Sequence, residues 1–363
     1  MDKAGNLYGT TFSGGTSGNG AVYQLKLKNS NFVFNPLYSF AGGSDGANPD
    51  PRVVFGPDGA LYGTTLYAGA GYGTVFKLQP SAAACRTVLC PWTKTEMYQF
   101  EGDPDGAFPG YGDLIFYQGN IYGTTYNGGS STGLGGTVYE MTPSGKSWTE
   151  SVLYRFSGSP DGQLPANAVI FDSAGNLYST TEEGGLSNAG TVFELSPSGS
   201  GWTEKVLYSF QGGEDGSLPL AGLIFDQLGN LYGATTNGGS GGGGTVFKLT
   251  PSGNGNWTYT SVYSFAGGTC SPYLGPWGNL VMDGAGNLYG TTYCDGANKA
   301  GNVWELKLSG NSWTYTSLHD FTGGNDGGNP FCNVVFDANG NLFGTTYDGG
   351  SYGYGVVWEI TFP

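Results

Sequence analysis

Seven close copies of one short stretch run through this chain. The clearest is Gly175-Asn176-Leu177-Tyr178-Ser179-Thr180-Thr181. The copies begin at Gly5, Gly59, Gly119, Gly175, Gly229, Gly286 and Gly340, at intervals of 54, 60, 56, 54, 57 and 54 residues. A period of this size with no helical pattern inside it predicts a ring of small sheets, a β-propeller. The repeat overrides the two-domain expectation that 363 residues would otherwise carry, so a single propeller domain over 1–363 is expected.

One complete unit, 166–219, reads as four strands. Asn167 to Phe171 is a short apolar run, strand A, closed by the turn sequence Asp172-Ser173-Ala174-Gly175-Asn176. Leu177 to Thr181 is strand B, and Thr191 to Leu195, which alternates apolar and polar residues, is strand C. Pro197-Ser198-Gly199 turns the chain into strand D, Trp202 to Phe210, and the link 212–219 carries it to the next A strand. Counted this way the chain holds seven blades. Blade one (1–48) lacks strand A, blades two to six (49–329) are complete, and blade seven (330–363) lacks strand D. The start at Met1-Asp2 aligns with Met282-Asp283 inside a repeat, so any export signal is expected upstream of Met1.

The chain has 69 Gly, but also 25 Tyr, 21 Phe and 8 Trp, too many rings for a disordered glycine-rich chain. A net charge of −15 with only 13 Lys and Arg gives no basic stripe and argues against nucleic acid. No apolar run reaches the roughly 20 residues of a membrane helix. A monomer is expected.

The repeated Gly-Asn-Leu-Tyr-Gly-Thr-Thr signature, the Gly-Thr-Val-Phe run before Pro-Ser-Gly, the Leu-Tyr-Ser-Phe strand and the Gly-Gly-x-Asp-Gly link resemble the GloVer tandem repeats of bacterial choice-of-anchor surface proteins. The strand order also resembles NHL-type propellers. The resemblance covers nearly the whole chain and implies secretion or surface display, with no fixed activity.

Cys85 and Cys90 bracket an insertion and are expected to form a local disulfide; Cys270 and Cys294 sit in loops expected on one face and form the second candidate pair, with Cys332 left over. Disulfides would place the chain in an oxidising compartment. CxxC spacing is missing, which disfavours zinc. The single His319 stands where other repeats have Tyr and excludes a Ser-His-Asp triad or a multi-histidine metal site.

In a propeller the repeats build walls and the departures from them build a site. Strand alternation places the D-to-A links and B-to-C loops together around one axial mouth. The first residues of the A strands there are Arg52, Asp113, Ala168, Gly222, Asn279 and Asn333, preceded by Asp50, Tyr111, Asn167, Trp277 and Phe331. The two small residues are expected to open one side. The B-to-C loops add Tyr67, Tyr126, Glu182, Glu183, Tyr293, Asp295, Tyr347 and Asp348. Aromatics beside Asp, Asn and Arg suit a poly- or oligosaccharide, whose ring faces stack while its hydroxyls hydrogen-bond.

Paired carboxylates such as Asp113 with Glu183 or Glu182 suit a metal-independent glycoside hydrolase, if the pair stands about 5 to 9.5 Å apart. A purely structural repeat is the third reading. The chemistry requires no cofactor. The recurring link carboxylates Asp45, Asp105, Asp161, Asp215 and Asp326 are expected to bond nearby backbone N–H groups, with Ca²⁺ ligation the alternative.

Overall fold

The computed structural model describes residues 1–29, 31–68, 71–81, 92–129, 135–145, 147–267, 275–310, 312–331 and 333–362. The chain is an all-β, seven-bladed β-propeller. Blades two to six are antiparallel four-stranded sheets. Blade one has three strands (Leu7–Thr11, Ala21–Lys28, Asn31–Ser39), and blade seven has three (Val335–Phe336, Leu342–Thr345, Val357–Ile360). The helical content among the described residues is one 3-10 turn, Gly43–Asp45.

By compactness the chain divides into two units. One comprises Met1–Gly158, Gln163–Leu177 and Leu195–Glu204; the other comprises Ser159–Gly162, Tyr178–Glu194 and Lys205–Pro363. Blades one to three fall in the first and blades five to seven in the second.

Each letter of the repeat has a physical task. Leu61, Leu231 and Leu288 are fully buried on strand B. The following Tyr reaches the next blade, where it meets the Phe of strand A edge-on: Tyr8 on Phe55 at 5.0 Å, Tyr178 on Phe225 at 5.2 Å, Tyr289 on Phe336 at 5.2 Å between ring centroids. The Gly lies under the aromatic of strand C, its cross-strand partner in the register Gly63↔Phe76 and Gly290↔Trp304. A Cβ at Gly290 would stand 2.5 Å from Cζ2 of Trp304. The last Thr shares a hydroxyl bond with the first residue of strand C, as in Thr65 with Thr74 at 2.8 Å and Thr235 with Thr245 at 3.0 Å. These pairs are buried, so the hydrogen bond removes the cost of sequestering two hydroxyls.

The Asp of the A-to-B turn has one role in blades four to seven. Asp226 Oδ1 accepts from the N–H groups of Leu228 and Asn230, and its Oδ2 accepts from Asn230 Nδ2; Asp172, Asp283 and Asp337 repeat the pattern. This is an Asx turn locked at both carboxylate oxygens.

The core lies between neighbouring blades. One cluster joins Val22, Leu37 and Phe40 to Val53, Leu61, Phe76 and Leu78; another joins Tyr232, Val246 and Phe265 to Leu280, Leu288, Trp304 and Leu306. Phe40, Phe100, Phe210 and Phe265, the last letter of the strand-D motif, are fully buried, each contributing about 1.5–3 kcal/mol.

Three strands of blade four differ from the sequence reading. Strand A is laddered only over Ile170–Phe171, strand C runs longer, Thr191–Ser198, and strand D is shifted by one residue, to Gly201–Ser209. Pro197 and Ser198 belong to strand C, and the reversal is confined to the two residues after them. In the corresponding hairpin of blade five, Trp257 packs on Tyr178 of the preceding blade at 6.2 Å.

Candidate functional site

The D-to-A links and B-to-C loops do adjoin, because the links pair with those loops by backbone bridges. Ala47 pairs with Tyr67, Ala107 with Asn127, Ser217 with Asn237, and Gly328 with Asp348. In five links the residue before the proline is held in left-handed backbone: Asn48, Phe108, Leu164, Leu218 and Asn329 have φ of 56, 60, 58, 54 and 52°. It is pinned between blades. The N–H of Asn329 donates to Ala300, and its carbonyl accepts from Tyr347 N–H at 3.1 Å. Phe and Leu tolerate this conformation poorly, so the bonds on either side must hold it.

In the second unit these links and loops assemble an aromatic shelf. Trp277 and Phe331, from the links into blades six and seven, lie 4.6 Å apart between centroids at 39°. Tyr293, following strand B of blade six (Leu288–Thr292), is 6.4 Å from Trp277 and 6.3 Å from Phe331; Tyr347, following strand B of blade seven, is 6.3 Å from Phe331. Tyr347 is 60% exposed, and the other three rings are half-buried. Backbone bonds fix the shelf from below: Gly275 N–H donates to Thr236, and Tyr293 N–H donates to Gly275. Burial, and then the charge of Asp348, raise the pKa of the Tyr293 hydroxyl. A carboxylate therefore stands at the rim beside rings that carry hydroxyl groups.

Asn279 and Asn333, read from the sequence as ligand groups, staple blades together. Asn279 Oδ1 accepts from Gly222 N–H at 2.6 Å, and Asn333 Oδ1 accepts from Asn279 N–H at 2.7 Å. This also corrects the role of Gly222. A Cβ there would collide with Asn279 Oδ1, so the small residue makes room for the staple and opens no gap.

In the first unit Arg52 and Asp113 are an ion pair, Nε to Oδ2 at 2.7 Å, with side chains 43% and 2% exposed. Tyr111 and Tyr126 face each other at 4.6 Å and 42°. Phe108 lies 5.7 Å from Tyr67 and 6.5 Å from Tyr72. Sequence reasoning missed Phe108; its signal was the only aromatic at the left-handed link position. Asp50 is half-buried without a compensating charge, and desolvation pushes its carboxyl up to about 6. Asn167 is buried, and its carbonyl accepts from Thr124 Oγ1 at 3.0 Å. In blade four Glu182 is buried and Glu183 is half-buried.

The link carboxylates anchor the preceding strand D. Tyr38, Tyr98 and Tyr208 donate hydroxyls to Asp45, Asp105 and Asp215, and the N–H four residues before each Asp donates as well. Asp45 further receives Lys94 Nζ at 3.1 Å. These partners are N–H and O–H donors, a set that suits an anion and not a calcium ion. Among the described residues no group of three or more His, Cys, Asp or Glu is placed to hold a metal. Buried Cys294 is disulfide-bonded; Cys85, Cys90, Cys270 and Cys332, on which the expected pairings fall, lie outside the described residues. Among the described residues no helix is long and apolar enough to cross a membrane.

Repeated blades, one residue-by-residue signature and departures gathered in links and loops define a tandem-repeat β-propeller. The chain belongs to the Gloeobacter/Verrucomicrobia repeat family, whose model matches residues 1–149, 91–275 and 205–363. A candidate 6-phosphogluconolactonase from Bacteroides uniformis is similar in structure, with 16% identity, TM-score 0.58, and coverage of 94% of this chain and 88% of that one. A candidate oxidoreductase (glucose dehydrogenase) from Thermus thermophilus has 17% identity, TM-score 0.50, and coverage of 86% and 96%. At such identities the likeness is one of fold alone. No curated protein matches the chain.

Proposed function

We propose that this protein is a secreted or surface-displayed propeller that binds poly- or oligosaccharide through its links and B-to-C loops. The observation that carries this reading is the shelf of Trp277, Phe331, Tyr293 and Tyr347. Four rings in sequence, with Tyr347 largely exposed and the Asp348 carboxylate beside them, offer apolar faces for sugar rings and acceptors for hydroxyls. The family and the Cys294 disulfide support an oxidising, extracellular setting, with Cys270 as the proposed partner sulfur. The names of the two structural neighbours, both of sugar chemistry, lean the same way.

A glycoside hydrolase is the second reading, and Asp50 favours it, because a carboxyl raised to about 6 by burial holds a proton that a leaving sugar oxygen needs. Asp113 fits that acid less well, since Arg52 already balances its charge. Incubation with a panel of plant and bacterial polysaccharides, reading retained binding and released reducing ends from the same wells, separates the two. Binding without release supports the first reading. Release abolished in Asp50→Asn or Glu183→Gln establishes the second, and neither signal leaves a structural repeat.

A further inference from the structure

The carbohydrate reading leaves Arg52 without a task, and its geometry supplies one. Arg52 is one of three arginines in the chain. Its Nε–H is given to Asp113, whose side chain is almost wholly buried, while the Arg52 side chain remains 43% exposed. The carboxylate thus fixes the guanidinium plane from beneath. Among the described residues the terminal nitrogens make no hydrogen bond, so on this half-exposed side chain the two-pronged end of the fork has donors to spare. Such a fork matches the two oxygens of a planar carboxylate, and its rotamer cost is met before any ligand arrives. Two residues before Asp113 stands Tyr111, 41% exposed and paired with Tyr126, a ring face for the sugar that bears that carboxylate.

Resting on the carbohydrate reading, we propose that Arg52 is a specificity-determining residue for acidic glycans, its fork receiving the carboxylate of a uronic acid whose ring stacks on Tyr111. The net charge of −15 does not oppose this at physiological salt, because charges beyond about 8 Å are largely screened. The nearest carboxylate, Asp113, is already spent on Arg52 itself.

The test measures binding of polygalacturonate oligomers and of the same oligomers as methyl esters, in which a neutral ester replaces each carboxylate. The wild-type protein is expected to hold the acid at least tenfold tighter. Arg52→Lys, which keeps the charge and loses the fork, removes most of that preference. So does the double variant Arg52→Gln with Asp113→Asn, which leaves no buried charge unpaired and keeps the fold. Tyr111→Ala weakens acid and ester alike. Equal or tighter binding of the ester by the wild type, or a preference surviving in the double variant, overturns the proposal and leaves the carbohydrate reading standing. If no saccharide of any charge binds, both fall together.

Discussion

His319 Nε2 lies 3.2 Å from Asp326 Oδ2, the place where Tyr38, Tyr98 and Tyr208 bring their hydroxyls to Asp45, Asp105 and Asp215. The single histidine is therefore a substituted rivet between strand D and its link, seven residues apart like the others. Its spacing in the sequence already matched a Tyr position, and the structure adds the partner. In the most buried of these rivets, Asp105→Ala strands the Tyr98 hydroxyl and the Glu101 N–H. It should cost about 1–3 kcal/mol in urea unfolding, while His319→Tyr should change stability by less than about 1 kcal/mol. Equal losses from both would contradict the rivet.

Gly290 and Trp304 supply a steric test. The backbone at Gly290 is ordinary strand, so only the ring opposite forbids a side chain. Gly290→Ala should destabilise by about 1–3 kcal/mol or more. Gly286, at φ 87° with open space around it, should lose only about 1 kcal/mol on the same change, through backbone strain. Denaturation midpoints in the reverse order would show that the repeat glycines serve turns alone.

Stability should pass through a maximum at about pH 4. At Asp58, Asp226, Asp283 and Asp337 burial alone would raise the carboxyl, but the hydrogen bonds donated to it prevail and hold it below the ordinary value. That stabilisation is complete above the unfolded pKa of about 3.9 and is lost as pH falls below it and through the lower folded value. Asp50 and Glu150 act in the opposite sense. Burial, joined at Glu150 by the charge of Asp105, raises them to about 6 and about 7. Between about pH 4 and 7 the folded chain binds protons that the unfolded chain has released, so stability declines as pH rises. Asp50→Asn with Glu150→Gln should flatten the upper limb and leave the acid limb intact. Melting temperatures from pH 3 to 8 decide it, and an unchanged upper limb would remove the assignment.

What the sequence made legible follows from the physics of the repeat. Strand B as Leu177–Thr181 and the three-stranded first and last blades were readable because close copies of the Gly-Asn-Leu-Tyr signature recur at intervals of 54 to 60 residues. The aromatics Trp277, Tyr293, Phe331 and Tyr347 were readable as departures from the pattern, and they meet. The partners of Asn279 and Asn333 were not, because a side chain bonding the next blade's backbone leaves no local signal. Gly222 was misread for the same reason, and the positive φ of Phe108 was hidden because neither Leu nor Phe advertises it.

The most direct measurement is calorimetric titration of the best-bound polysaccharide into wild type, Trp277→Ala, Tyr347→Ala and, as a control away from the shelf, Leu186→Ala. The shelf predicts that each aromatic loss weakens binding at least tenfold, while the control binds as wild type with unchanged melting temperature. Undiminished affinity in both shelf variants would contradict it.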